Sequence, residues 1–213
     1  IASPLFQDLS EAELDTLAAA GHLRTRQFAK HEVIFHAGSC VREIGIVLRG
    51  SVHIENLDLW GTKSILSSVG AGQAFAETYA FCGEALMVDA VAAEHCEILF
   101  LHTAAFTDAR IEPALQDKLL RRLLAVSMRK NLSLSQRIFC TTPKTVRGRL
   151  LTYFSAQAAR CGRMEFEVPF NRQQMADYLN LDRSALSKEL CKMRDEGLLE
   201  FDKNRFVLKQ LPE

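Results

Sequence analysis

The sequence predicts an α+β fold, in which an all-β first half is followed by one long helix and a small helix–strand unit. Three observations predict it. Short β-branched or alternating runs, broken by Gly, Asn and Ser, fill residues 24–101. A stretch of 26 residues without Gly or Pro follows Pro113. Two short amphipathic segments and two alternating runs then occupy residues 168–209.

The first element is a short helix within LSEAELDTLAAAGHL (9–23), where Ser10 and Glu13 have the spacing of a capping box. Its predicted apolar face consists of Leu14, Leu17 and Ala18. From Arg24 the period becomes that of strands, in QFAKHEVIFHAG, EIGIVLRGSVHIENL, SILSSVG and DAVAAEHCEILFL. The DLWGTK stretch (58–63) is typical of a hairpin tip. Strands this short and this closely spaced predict an all-β sandwich or barrel.

The long helix has two apolar stripes. The first consists of Leu115, Leu119, Leu123 and Val126, and the second of Leu120, Leu124, Met128 and Leu132. A helix that is apolar on two sides needs two partners. One could be the β-domain and the other a second copy of the helix in a dimer, while burial of both stripes within one subunit is the alternative.

A further helix is predicted in TTPKTVRGRLLTYFSAQAARCG (141–162), with Pro143 in its first turn and Cys161-Gly162 closing it. The next segment predicts a helix-turn-helix. The buried face of its first helix consists of Met175, Ala176 and Leu179, and that of its second helix consists of Leu186, Leu190 and Met193. Asp182 is the expected N-cap of the second helix, which ends at Gly197. Two strands around Asp202–Asn204 would form a wing.

Duplex DNA suits this arrangement, because a helix fits the major groove and residues near its N-terminus reach the base edges. The exposed face of the second helix is predicted to carry Arg183, Ser184, Ser187 and Lys188. Arg172 and Gln173 begin the first helix, where backbone amides and a cation suit phosphate. Small winged helices also bind proteins, so a non-DNA regulatory module that binds a ligand and a protein is the alternative.

Charge is divided unequally along the chain. Residues 1–113 carry 7 basic and 15 acidic side chains, whereas residues 114–213 carry 19 basic and 11 acidic ones. An acidic front and a basic back fit a sensing domain joined to a nucleic-acid-binding domain. The six cysteines form no C-x-x-C pair, and several, such as Cys82 and Cys96, have apolar neighbours, which is typical of reduced, buried thiols; a redox or metal role for one of them is the alternative. No apolar run is long enough to span a bilayer, and no signal peptide is visible.

The layout resembles the CRP/FNR family of bacterial transcription regulators along essentially the whole chain. The stretches that carry the resemblance are VLRGSV (47–52), GQAFAE (72–77), AVAAEHCEILFL (90–101) and RQQMADYLNLDRSALSKEL (172–190). It implies a jelly-roll-like β-roll sensor domain over residues 1–112, a dimerisation helix over 113–140 and a winged helix-turn-helix over 141–213. It also implies a cytoplasmic homodimer on palindromic double-stranded DNA, without membrane association, and contact with RNA polymerase if the protein is an activator.

The same resemblance assigns residue roles. Arg172 and Gln173 would contact the DNA backbone, while Arg183, Ser184 and Lys188 would face bases. In the best-known member, a glutamate stands at the position of Ser184 and an arginine at that of Lys188, so the operator here should differ.

The effector loop lacks the cation that such a loop normally carries. In cyclic-AMP-binding relatives it reads roughly Gly-Glu-x-x-Gly-Glu, followed by an arginine–serine pair that holds the phosphate. Here Gly72, Phe75 and Glu77 match, but Ala76 replaces a glycine and Leu86-Met87 replace arginine–serine. Residues 64–109 contain no Lys or Arg. Burying an anion without its cation costs about 3–5 kcal/mol, so cyclic AMP is disfavoured.

Several other effectors are possible for this loop. A cation could come from Arg121, Arg122 or Arg129. The expected effector pocket, lined by Gly72, Phe75, Ala76, Glu77, Leu86, Met87 and Met128, could take a small apolar or aromatic molecule; a thiol switch or no effector at all are the other possibilities. Haem would need an axial His or Cys, and an iron–sulfur cluster would need clustered N-terminal cysteines, whereas Cys40 stands alone before Cys82. Neither a metal site nor a nucleophile–base set is evident, so catalysis on a cupin-like barrel is not expected.

Overall fold

The computed structural model of the protein describes residues 3–57 and 63–209. Helix α1 (Glu11–Ala19) begins at the predicted capping box. The Ser10 hydroxyl accepts a hydrogen bond from the Glu13 amide at 3.3 Å, and the Glu13 carboxylate accepts one from the Ser10 amide at 2.8 Å. Leu17 is fully buried, but Ala18 is exposed, so the apolar face of α1 is narrower than predicted.

Eight strands follow within the described residues up to His102. They are β1 Leu23–Phe28, β2 Val33–Phe35, β3 Glu43–Arg49, β4 Ser51–Leu57, β5 Lys63–Gly70, β6 Ala74–Phe75, β7 Asp89–Ala92 and β8 Cys96–His102. They form two antiparallel sheets, ordered β1-β8-β3-β6 and β2-β7-β4-β5. A short helix, α2 (Glu77–Cys82), follows β6. The predicted hairpin tip at residues 58–63 lies almost wholly outside the described residues, although the strands on either side of it pair with each other.

The two faces of strand β8 bury different cores. Ile98 and Phe100 point between the two sheets, where they pack with residues such as Phe28 and Val47. Leu99 and Leu101 belong instead to a cluster that includes the N-terminal segment and the first turns of the long helix. The sheet of β1, β8, β3 and β6 is therefore covered on both faces, which explains the continuous apolar run of β8.

The long helix, α3 (Pro113–Thr141), confirms one predicted stripe as a packing surface. Leu115, Leu119 and Leu123 are buried in the cluster beside the sheet, and Val126 is half-buried. The second stripe has no cover within the described chain: Leu120, Leu124, Met128 and Leu132 are 47%, 56%, 51% and 64% exposed. The chain forms two compact units, residues 1–129 and 130–213, whose boundary falls within α3.

As far as residue 209, the second unit contains three helices and a small sheet besides the end of α3. The elements are α4 Val146–Cys161, β9 Glu165–Glu167, α5 Arg172–Leu179, α6 Arg183–Asp195, β10 Leu199–Asp202 and β11 Arg205–Leu208. The wing hairpin β10–β11 is confirmed, and β9 adds a third strand beside β11. All six apolar residues predicted to face inward from the helix-turn-helix are fully buried.

The predicted start of α4 is wrong. Pro143 precedes the helix, because the Thr145 hydroxyl accepts a hydrogen bond from the Gly148 amide at 3.0 Å and makes Thr145 the N-cap. Its end is confirmed, since Gly162 closes the helix with a φ of 65°.

Candidate DNA interface and effector loop

The turn between α5 and α6 fixes where the predicted base-reading side chains begin. Asn180 adopts a left-handed conformation at the end of α5, with a φ of 53°. Asp182 then caps α6, accepting hydrogen bonds from the amides of Ser184 at 2.8 Å and Ala185 at 2.9 Å. The Ser184 hydroxyl also donates to Asp182, and these bonds hold the pKa of the carboxyl below its usual value.

The side chains predicted to read bases share one accessible face of α6. Arg183, Ser184 and Lys188 are exposed and Ser187 is half-buried. They lie away from the face of Leu186, Leu190 and Met193, which are fully buried. The hydroxyl of Ser184 is engaged by Asp182. Arg183 and Lys188 have the longest side chains on this face, and both are exposed.

The start of α5 is capped, but its predicted phosphate contacts differ from each other. Asn171 and Gln174 form a capping box with two hydrogen bonds of 2.9 Å. Gln173 is exposed and donates to Asp177 at 2.9 Å. The Arg172 guanidinium instead lies over the rings of Phe201 and Phe206, 4.8 and 5.1 Å from their centroids, and burial lowers its pKa.

An open groove of about 470 Å³ lies beside Arg172, between the start of α5 and the turn of the wing. Lys203 and Asn204 of that turn line it, together with Asn171. Lys203 has a φ of 49°, which the tight turn between β10 and β11 requires. Lys203 lies at the predicted wing turn but is not one of the residues predicted to contact DNA.

Three other arginines brace the helix-turn-helix internally. Arg149 donates to the carbonyl oxygens of Leu179 at 3.1 Å and Asn180 at 2.7 Å, and Arg137 donates to those of Asp177 and Tyr178. The bonds to Tyr178, Leu179 and Asn180 satisfy carbonyl groups that the end of α5 leaves without helical partners, while the Asp177 carbonyl also accepts from the Asn180 amide.

The third brace holds α6 to α4. Arg147 pairs with Glu189 at 2.6 Å and with Glu196 at 2.8 Å. The hydrogen bonds raise the pKa of Arg147 and lower that of Glu196. The sequence carried no local signal for these pairs, because their members are 42 and 49 residues apart.

The effector loop is built into the core between the sheets. Phe75 is 2% exposed, and its ring lies where a side chain of Gly45 would be: a Cβ there would come within 2.2 Å of the ring. The Gly72 amide donates to the Val47 carbonyl at 2.8 Å. Ala76, at the position of the expected glycine, has a φ of 62°, and the buried Glu77 begins α2 directly after it.

The two residues that replace arginine and serine face different surroundings. Leu86 is buried, its backbone joined to Ser39 and Gly38 by hydrogen bonds of 3.0 and 2.7 Å. Met87 is 77% exposed, and Met128, on α3, is half exposed. Of the predicted pocket residues, Phe75, Glu77 and Leu86 are therefore buried, whereas the two methionines are exposed.

Two of the three arginines that could supply the missing cation are already in ion pairs. Arg121 pairs with Asp117 at 2.8 Å, and Arg122 pairs with Asp8. Arg129 is exposed.

The cysteines differ in part from their prediction. Cys96 is buried as expected, and burial raises its pKa, but Cys82 is exposed at the end of α2. Within residues 3–57 and 63–209, no cluster of three or more His, Cys, Asp or Glu side chains has metal-binding geometry. None of the helices described is long and apolar enough to cross a membrane.

Two family models match the chain. The cyclic nucleotide-binding domain matches residues 25–110, and the Crp-like helix-turn-helix domain matches residues 148–213. Together they span more than two thirds of the sequence. No curated protein matches this chain by sequence.

Solved structures share the architecture. The Catabolite Activator Protein of Thermus thermophilus is 25% identical with a TM-score of 0.50, over 97% of this chain and 94% of that one. The c-di-GMP responsive global regulator CLP of Xanthomonas campestris is 18% identical with a TM-score of 0.56, over 94% of this chain and 100% of that one. CprK complexed with OCPA is 13% identical with a TM-score of 0.64, over 95% of this chain and 91% of that one.

The last two likenesses show the fold alone. The family matches cover both the sheet domain and the helix-turn-helix, and the Thermus protein aligns with nearly the whole chain. The chain therefore belongs to the CRP family of DNA-binding transcription regulators, and its first domain is of the cyclic-nucleotide-binding type.

Proposed function

We propose that this regulator is a cytoplasmic homodimer that reads a palindromic operator with Arg183, Ser184, Ser187 and Lys188, and that its β-roll responds to an effector other than cyclic AMP. It has no enzymatic role, and it contacts RNA polymerase where it activates transcription. The predicted domain limits, 1–112, 113–140 and 141–213, belong to the same proposal.

The exposed stripe of α3 is the observation that carries the dimer. Leu120, Leu124, Met128 and Leu132 repeat every four residues and are each about half or more exposed. Fully burying such a side chain stabilises by about 1.5–3 kcal/mol, so four from each copy offer enough apolar surface for a specific pair of helices. Two copies related by a two-fold axis present two α6 helices, which matches a palindrome with two half-sites.

Charge around the effector loop separates the candidate effectors. The segment that contains the loop, residues 64–109, has no Lys or Arg, and Arg121 and Arg122 already pair with carboxylates. Leu86, at the position of the phosphate-binding arginine in relatives that bind cyclic AMP, is apolar and buried. These features favour a neutral, apolar effector over a cyclic phosphate; regulation through a thiol, or without any effector, is the remaining candidate.

The test is selection of preferred duplexes from a random pool, followed by binding titrations on the selected site and on its isolated half. We expect an inverted repeat, two chains per duplex, much weaker binding to the half-site and a steep salt dependence of about −0.9 in log–log slope per phosphate contact. One chain per duplex with equal affinity for the half-site would contradict the dimer. A selected sequence without symmetry would contradict the palindrome.

A further inference from the structure

A small cavity in residues 130–213 belongs to neither candidate site. It has a volume of about 80 Å³ and lies among the end of α3, the second half of α4 and α5. Six side chains that line it are Gln136, Cys140, Tyr153, Gln157, Arg160 and Tyr178. Gln136 and Arg160 are exposed, so the cavity opens to solvent on their side.

The floor of the cavity contains an unsatisfied polar group. Tyr153 is 1% exposed, and its hydroxyl has no hydrogen-bond partner among the described residues. A buried hydroxyl without a partner is costly, so folded proteins usually supply a side chain, a water or a ligand. The rings around Tyr153 hold it in place: Tyr178 lies 5.6 Å away edge-on and Phe170 6.3 Å away, centroid to centroid.

The cavity wall favours negative charge. Of the lining residues, Arg160 is the one with a full charge, and its guanidinium donates a 2.7 Å hydrogen bond to the side-chain amide oxygen (Oε1) of Gln157. Burial raises the pKa of both Cys140 and Tyr153, so the thiol and the phenol stay neutral at neutral pH. The wall therefore offers hydroxyl, amide and guanidinium donors without a competing anion.

Size limits the ligand. A water occupies about 30 Å³ in the liquid, so the cavity has room for about three waters or for an anion of about four non-hydrogen atoms. A nucleotide is far larger than this.

We propose that the cavity is a binding site for a small monovalent oxyanion, of the size of formate or nitrate, held between the Tyr153 hydroxyl and the Arg160 guanidinium. Both of these groups belong to α4, and Tyr178 on the cavity wall belongs to α5, the helix that precedes the base-reading helix, so the bound anion would lie between the two helices. The site would thus be a second point of control, within the DNA-binding unit and separate from the β-roll.

The test is an NMR titration of the full chain labelled at tyrosine Cζ. The chain contains three tyrosines and therefore gives three reporter signals. Sodium formate and sodium nitrate are the probes, and sodium gluconate, too large for the cavity, keeps the ionic strength constant. We expect saturable shifts of the Tyr153 and Tyr178 signals in the millimolar range, while that of Tyr79 stays constant. Arg160→Gln should weaken binding at least tenfold, whereas Arg163→Gln, which removes an exposed arginine just beyond α4, should not.

Tyr153→Phe distinguishes an anion site from a cavity that holds only water. With the unpaired hydroxyl removed, the variant should fold with an equal or higher Tm without anion, and the anion should no longer shift the Tyr178 signal. Shifts that grow linearly without saturation, equal affinity in Arg160→Gln, or unchanged binding in Tyr153→Phe would each overturn the proposal.

Discussion

Arginine side chains in residues 130–213 differ in what their guanidinium groups contact. Arg137, Arg147 and Arg149 bind carbonyl oxygens or carboxylates within the unit, and Arg172 lies on aromatic rings. Arg183 projects from the exposed face of α6. The basic excess of the second half is therefore partly used inside the fold, and a count of charges alone overstates what is available to DNA.

Arg172→Ala should affect both stability and DNA binding. Loss of the ring contacts should lower the free energy of unfolding by about 0.5–2 kcal/mol. Loss of a phosphate contact should weaken binding to all duplexes alike and reduce the salt slope by about 1. Thermal unfolding and salt-dependent titrations measure the two effects.

Gln173→Ala is the matched control for stability, because Gln173 is the next residue of the same turn and is exposed. It should leave the Tm unchanged. If Arg172→Ala lowers the Tm but leaves the salt slope as it was, Arg172 supports the wing and does not contact phosphate.

Arg183→Ala should relax base preference. A side chain that reads a base edge contributes about 1–3 kcal/mol to discrimination, so affinity should fall on the selected operator and much less on random duplex. Arg163→Ala, which removes an exposed arginine outside the helix-turn-helix, should change the affinity for neither the selected operator nor random duplex. Equal losses of affinity on the selected and random duplexes would show that Arg183 is not a base reader.

At the scale of elements, local patterns were sufficient wherever the determining residues are close in sequence. The caps at Ser10 and Asp182, the two stripes of α3 and the wing hairpin were predicted, because each depends on residues within a turn or two of each other. Strand β9 was missed because it is three residues long and is defined by pairing with β11, some 40 residues later. The braces Arg147–Glu189 and Arg149–Asn180 were missed for the same reason.

The exposed stripe of α3 predicts the effect of a single charge. Leu124→Glu would place two uncompensated carboxylates in each dimer, and an unpaired buried charge costs about 3–5 kcal/mol. The dissociation constant should therefore rise at least a hundredfold, since about 1.4 kcal/mol corresponds to a factor of ten. Analytical ultracentrifugation across a concentration series measures it.

Leu66→Glu provides the control for that experiment, because Leu66 is a leucine of similar exposure, 49%, that belongs to strand β5 and not to α3. It should remain as dimeric as the unaltered protein. A Leu124→Glu protein that keeps its fold and its dimer would mean that the copies associate through another surface.

For the whole molecule, the architecture could be predicted from the sequence, but the effector could not. The resemblance to a regulator family depends on the order of sheet domain, long helix and winged helix. Proteins that bind different ligands share this order. Which ligand binds depends on side chains from segments that are distant in sequence, and on whether a cation reaches them. The burial of Leu86 and the exposure of Met87 are features of packing that no local pattern contained.

Thermal unfolding with and without excess cyclic AMP tests the charge argument on the intact protein. A ligand at 100 times its Kd adds about 2.7 kcal/mol, which would raise the Tm by several degrees in a chain of this size. We expect no shift with cyclic AMP and a clear shift with the selected operator duplex, which serves as the positive control. A shift with cyclic AMP would mean that a side chain outside the loop supplies the cation, and Arg129→Gln would then be the variant to measure.

The contact between Phe75 and Gly45 predicts that substitutions at these two positions, 30 residues apart in sequence, are correlated. Because the ring fills the space of a Cβ at position 45, a larger residue there would displace the ring, and a smaller residue at position 75 would leave a cavity. Among relatives of this chain, a larger residue in place of Gly45 should accompany a smaller one in place of Phe75. The effector loop, which contains Phe75, would then vary together with strand β3, so that ligand preference and the packing of the sheets change as one unit.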